Sequence, residues 1–321
     1  MQDQSSKSNM FPLITLQPIA NGKNAWAALL LEGDHPLDGQ SLSYILHVGG
    51  LAAVLPFAPC LVLADPAAID AEVLAGLPDG RLMLHSPAEG ATVPEWGTLA
   101  FAVGHAATPP TSKGNPSRAP LLKLLSLVTA DADTAEIEAV VKRDPHLSYQ
   151  LLKLVNSVAF SPNQHITSFG QAIALLGRRQ LQRWLQLLLY TRSPDSPMAS
   201  PLLPRAALRA SLMERLAKQQ GQASLTQDHA FMVGMFSLLD QLLGVSLNEV
   251  LPPLKLPEDV LAALLAGTGR LGELAAIVKA SEGPPTEALA NLLDAAGIDR
   301  PAWAGMLTGA AGWALQIGRE A

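Results

Sequence analysis

From Leu121 to the last residue the chain carries helical periodicity and no strand signal, so this long stretch has to bury itself as helix on helix. Apolar residues recur at three- and four-residue spacing. The spacing predicts helices over roughly 120–130, 133–142, 145–158, 169–176, 178–191, 202–220, 227–243, 257–267, 270–282, 285–296 and 301–317. No repeat with a fixed period runs through them. With 49% hydrophobic and only 16% charged residues the chain can fill a core, and with aromatics at 5% that core is built from Leu and Ala. The apolar run "PAWAGMLTGAAGWALQIG" is short of the ~20 residues a membrane span needs and is rich in Gly and Ala. It reads as a tightly packed core helix.

Residues 11–104 follow a different rule. "PLITLQPIA" and "AWAALLLEG" flank "NGKN", and Asn-Gly between two apolar runs predicts a β-hairpin. Then come a helix over "SLSYILHVGGLAAVL", a buried strand "CLVLADP", a helix "AAIDAEVLAGL", and strands "RLMLHS" and "TLAFAVG". Such alternation predicts parallel α/β structure, with too few strands for a (β/α)8 barrel of ~250 residues. The Pro-, Ser- and Gly-rich "HAATPPTSKGNPSRAP" is the clearest linker. The expected division is a disordered tail at 1–10, an α/β domain at 11–104, a linker at 105–119 and an all-α domain at 120–321. The tail "MQDQSSKSNM" has no apolar segment of a signal peptide. One cysteine, Cys60, excludes an intrachain disulfide and fits a reducing, cytoplasmic compartment.

Charge is unevenly spread. Residues 1–117 carry 4 basic and 10 acidic side chains, 118–219 carry 13 and 7, and 220–321 carry 5 and 11. A basic middle between acidic flanks either pairs with those flanks or faces an anionic partner. Arg178, Arg179 and Arg183 are its candidate partner contacts, because positions 179 and 183 share a helix face with position 178 beside them. Trp184 and the leucines of "LQLLL" would then be buried and the guanidiniums would point outward.

The densest pattern lies in "RDPHLSYQLLKLVNSVAFSPNQHITSFGQAIALLG". Asp144 suits an N-cap and Pro145 the first helical position. Ser168 and Gln171 make a capping box, and Gly177 suits the left-handed position after a helix. Asn156 and Ser157 do not favour a helix interior; they serve a buried hydrogen-bond network or the helix end before "FSPN". The other signals are weaker. "GTGRLG" matches a nucleotide-loop spacing but follows a helical run, so it reads as an interhelical turn. His35, His47, His85, His105, His146 and His165 are scattered, and none pairs at metal-ligand spacing.

Three segments in order resemble the HDOD domain, a divergent relative of the HD phosphohydrolases: "DPHLSYQLLKLVNSVAF", "ITSFGQAIALLGRRQLQRWLQLLL" and "DHAFMVGMFSLLDQLLG". The resemblance spans about residues 118–321. It makes Asp144, Pro145, Asn156, Ser157, Gly177 and Gly234 structural signature positions. HD hydrolases hold metal through a His, a His-Asp pair after Gly-Leu-Leu, and a further Asp. Here "GMF" is followed by Ser237 and Leu238, and Ala210 and Ser211 stand near the place of the first His. The resemblance therefore implies a helical scaffold without the hydrolase ligands. Residues 11–104 resemble a truncated, degenerate EAL domain, the class that hydrolyses cyclic di-GMP, with Ala27 where the signature Glu would stand. Glu32 is expected past the strand end, in solvent. The two-domain arrangement is similar to the YuxH-like bacterial signalling proteins.

Together these readings predict a multidomain protein, an α/β remnant of an EAL-type barrel followed by an all-α HDOD domain. Its expected role is non-catalytic signalling, with no cofactor, metal or catalytic residue, and other signalling proteins as partners. Neither a membrane span nor nucleic-acid binding is expected. The alternatives are an HD-superfamily phosphohydrolase with an atypical metal site, and a cyclic di-GMP sensor that does not hydrolyse its ligand.

Overall fold

The computed structural model describes residues 11–21, 26–64, 67, 69–75, 77, 81–85, 97–99, 119–130, 132–133, 136–137, 140, 177, 179, 181–183, 185–187 and 202–320. The predicted hairpin forms as β1 (Ile14–Asn21) and β2 (Trp26–Gly33), antiparallel with Ile14 opposite Gly33, and its register shifts between Ile19 and Ala20. β3 (Cys60–Leu63) adds to β2 in parallel, and β4 (Leu82–His85) adds to β3 in parallel. β5 (Gly97–Leu99) runs antiparallel to β1 on the other side. The sheet order is β4-β3-β2-β1-β5. It is a mixed sheet, where strand–helix alternation predicted a parallel one. A tight hairpin necessarily reverses the chain, and β5 returns beside β1 instead of extending the parallel edge.

Alternation along the strands gives the sheet two different faces. Leu16, Leu29, Leu31, Cys60 and Val62 point into the main core, and Ile19, Ala28, Leu30 and Leu61 form a smaller cluster on the other side. Burial pushes the Cys60 thiol up to about 12, so it stays protonated and behaves as a small apolar side chain.

α1 (Gly39–His47) starts at Asp38, whose carboxylate accepts from the Ser41 amide at 2.8 Å and is held below its ordinary range by that bond. The helix stops before the Gly49–Gly50 pair. Gly50 takes φ +79°, and the chain resumes as a 3-10 turn over Leu51–Ala53. The single helix expected over 41–55 is thus broken where only glycine adopts the left-handed backbone cheaply. Of the predicted helix at 67–77, the described helical part is the single turn α2 (Ala71–Leu74).

Glu32 also departs from expectation. It lies within β2, opposite Thr15, is half-buried, and accepts a hydrogen bond from Gln17 Nε2. The strand runs to Gly33, so the side chain never clears the sheet. Burial raises the Glu32 carboxyl, and the Gln17 bond offsets this in part. A carboxyl whose folded pKa exceeds its unfolded value disfavours folding once ionised, and the loss grows as pH rises between the two values. Glu32→Gln should therefore raise the melting temperature at pH 7 and leave it nearly unchanged at pH 4. A lower melting temperature at pH 7 would show that the Gln17 bond outweighs desolvation.

The remaining described elements are helical. They are α3 (Ala119–Thr129), α4 (Leu202–Gln219), α5 (Ser224–Phe236), α6 (Leu239–Leu243), α7 (Leu247–Val250), α8 (Glu258–Ala266), α9 (Gly269–Ala280), α10 (Glu287–Ala295) and α11 (Arg300–Glu320). The helix predicted over 227–243 is two helices, because Ser237 and Leu238 form a turn between α5 and α6. "GTGRLG" is the interhelical turn expected. Gly267 ends α8 at φ +66°, and a Cβ on Gly272 would collide with the Gly267 backbone.

α11 is shared between the two halves of the chain. Trp303, fully buried, donates its indole N–H to the Ile14 carbonyl at 2.8 Å. Arg300 donates to the Phe11 carbonyl at 2.9 Å and pairs with Asp34 at 3.0 Å. The Thr308 hydroxyl bonds to the Gly49 carbonyl. Elsewhere on the helix, Gly309 lies against the Arg215 guanidinium of α4, and Trp313 meets Phe231 of α5 edge-on at 5.8 Å. One apolar core consequently runs from β1 and β2 through α11 into α4 and α5. Among the described residues no single helix is long and apolar enough to cross a membrane.

Candidate functional site at the α4–α5 contact

α4 and α5 touch at backbone distance. A Cβ added to Gly234 would lie 2.5 Å from the Ala210 nitrogen, so only glycine fits at this crossing. Directly after α5 come Ser237 and Leu238. Leu238 and Ala210 are fully buried, and Ser211 is nearly so. Arg209 of α4 donates to Ser237 Oγ at 2.9 Å, and that hydroxyl donates to the Gly234 carbonyl at 2.7 Å. A guanidinium, a hydroxyl and two aliphatic side chains are not a donor set for a divalent ion, which needs imidazole or carboxylate there. Among the described residues, no group of three His, Cys, Asp or Glu could hold a metal ion.

A buried ion cluster sits beside this turn. Arg205 and Arg209, one helical turn apart on α4, both grip Glu282, which follows α9. Arg205 Nη2 reaches Glu282 Oε2 at 2.7 Å, while Arg209 Nε reaches Oε1 at 2.6 Å and its Nη2 reaches Oε2 at 2.7 Å. Burial alone would raise the Glu282 carboxyl; the bonds and charge of Arg209, then Arg205, outweigh it and hold the carboxyl below its ordinary range.

Arg179 and Arg183 form a second cluster, and there Arg183 faces inward, contrary to the outward orientation expected. Arg183 bonds to Glu214 of α4 and to Asp228 of α5 at 2.8 Å, and its guanidinium lies 4.7 Å from the Phe231 ring centre. Arg179 pairs with the same Asp228. The acidic partners come from neighbouring helices, so Arg179 and Arg183 find counter-charges within the helical region. Burial works against the Arg183 charge, but Glu214 and Asp228 prevail and its pKa is raised. His229, next to Asp228, bonds through Nδ1 to Asp259 of α8 at 2.8 Å. Gly177 takes φ +72°, as its predicted left-handed position requires. Arg178, Asp144, Pro145, Asn156 and Ser157 lie outside the described residues.

In the N-terminal sheet, Ala27 is the residue left unpaired by the register shift, since Trp26 lies opposite Ala20 and Ala28 opposite Ile19.

Residues 120–251 match the family described as HDOD domain. Over 160 residues the chain is 33% identical to the Bacillus subtilis (strain 168) protein named "Uncharacterized protein YuxH", an alignment covering 48% of this chain and 38% of that protein. Over 144 residues it is 32% identical to "Cyclic di-GMP phosphodiesterase CdgJ" of Vibrio cholerae, covering 45% of this chain and 33% of that protein. The matched stretch thus spans less than two fifths of either relative's length. No solved structure matches the chain.

Proposed function

Given that residues 120–251 of this chain form an HDOD domain, we propose that it is a signalling protein whose helical region binds partners and does not carry out hydrolysis. One observation carries this reading. Where an HD hydrolase needs its His-Asp pair, Arg209 donates into Ser237 beside a fully buried Leu238. A fixed positive charge in that place opposes a divalent ion, and without one no bound water is activated for attack on a phosphoester. We read the N-terminal sheet as a degenerate EAL remnant. Its hairpin carries Ala27, which has no carboxylate, in the signature position. Other signalling proteins are the partners this reading implies, in the cytoplasm.

The rival reading takes its support from the relative named as a cyclic di-GMP phosphodiesterase. Two measurements on the full chain separate them. Elemental analysis after purification without chelators should find Mn, Fe, Ni and Zn well below one equivalent. Incubation with cyclic di-GMP and Mg or Mn should leave the dinucleotide intact. Turnover that tracks the protein through purification, or a tightly held equivalent of metal, would establish the enzyme instead.

A further inference from the structure

We propose that Arg205 and Arg209 form an oxyanion site for a dianionic phosphate group, that Glu282 fills it in cis, and that the turn carrying Glu282 is a releasable cap. This rests on the reading of the helical region as a binding module and names the chemistry its ligand would bring.

Each guanidinium engages both carboxylate oxygens of Glu282, with Arg205 Nε at 3.3 Å and Arg209 Nε at 2.6 Å from Oε1, and both Nη2 atoms at 2.7 Å from Oε2. Planar, bidentate donors of this kind fit carboxylate and phosphate oxygens equally well. The side chains are only 4%, 13% and 11% exposed for Arg205, Arg209 and Glu282, so the cluster is nearly dry. The carboxylate brings one negative charge to the two guanidiniums, whereas a phosphate dianion would bring two.

The occupant comes from outside the family domain, since Glu282 lies beyond residue 251, where the HDOD match ends. It rides on the short turn "SEGPP" after α9, anchored by Ser281 Oγ donating to the Val278 carbonyl at 2.8 Å. A Cβ on the next residue, Gly283, would meet nothing within 4 Å, so the turn has open space beside it. This turn lies on neither α4 nor α5, so displacing it would uncover the fork.

The test uses the full chain, with Glu282→Ala and Glu282→Gln, melted in inorganic phosphate and in KCl of matched ionic strength. Wild type should show only the unsaturable gain that phosphate, as an excluded salt, gives over chloride, because its site is filled. Glu282→Ala should melt lower and recover saturably in phosphate alone, by about 2–4 °C, and adding Arg209→Met should abolish that recovery. Glu282→Gln keeps the side-chain volume and gives the same comparison if the alanine variant does not fold. Phosphoserine and 5′-GMP, two carriers of the same group, show by relative midpoint which kind of molecule the site prefers. In wild type, saturating amounts of the better carrier should speed hydrogen exchange at 281–287. The same unsaturable phosphate gain in wild type and in both Glu282 variants would make the fork a purely structural ion pair. Unchanged exchange at 281–287 would sink the releasable cap. Neither result touches the metal and turnover measurements that decide the parent reading.

Discussion

Trp303→Ala is expected to destabilise the full chain by about 3–5 kcal/mol, as removal of a large aromatic side chain from a packed core does. Trp303 is fully buried on α11, and its indole N–H holds the carbonyl of Ile14 at the start of β1. The substitution opens a cavity and leaves that carbonyl without its donor. Because the core is continuous from the sheet to α4, strand and helix signals should be lost together, at one lower denaturant midpoint. Far-ultraviolet circular dichroism and the near-ultraviolet signal of the remaining tryptophans supply the two probes. Trp303→Phe keeps most of the volume and should cost nearer ~1 kcal/mol, the value of one hydrogen bond. Separate midpoints for the two probes in wild type would mean that α11 does not unite the halves. A loss below ~1 kcal/mol for the alanine variant would rule out the packing described.

Gly234→Ala should cost about 3 kcal/mol, the upper end for overpacking, because the added methyl meets backbone and not a yielding side chain. That methyl would lie 2.5 Å from the Ala210 nitrogen, so the two helix backbones would have to move apart. Gly305→Ala is the matched control. It also lies within a helix, but a Cβ there would meet nothing within 4 Å. Replacing a helical glycine in open space should stabilise by roughly 0.5–1 kcal/mol. Opposite signs for the two substitutions in urea denaturation would support the close crossing of α4 and α5. A neutral Gly234→Ala would refute it.

The helices from α8 to α11 were legible from their apolar spacing, and α8 also from its stop signal, Gly267. The hairpin was legible for a similar reason, since Asn-Gly between apolar runs leaves few other options. Breaks inside continuous apolar patterns were not. Gly49–Gly50 and Ser237–Leu238 interrupt helices whose hydrophobic spacing carries on across the break, and only tertiary packing decides that the chain turns there. Mixed strand direction was illegible as well, because alternation of elements says nothing about which edge a strand joins. At the candidate site, Ser237, Leu238 and Ala210 were found from the family pattern, whereas the ion cluster was missed. Arg205 and Arg209 stand four apart as the only charged residues of the first three turns of α4, a signal that was there to be read. Glu282 is 73 residues further on than Arg209, in a polar turn, and nothing local ties it to α4. The inward turn of Arg183 was missed for the same reason, since its partners Glu214 and Asp228 lie 31 and 45 residues away.

The pairing of β1 with α11 also has a consequence for how the chain comes into being. Ile14 and Trp303 are 289 residues apart, yet each completes the other's surroundings. A ribosome adding about 5–20 residues per second needs roughly 15–60 s to traverse that distance. Throughout that interval the apolar side of the hairpin waits without its covering helix, while the intervening helices emerge and collapse on one another. The nascent sheet is then an adhesive surface, and chaperone occupancy of the growing chain should persist until α11 leaves the exit tunnel. A fold closed by so distant a pair is most vulnerable during synthesis, before its most stable state is within reach.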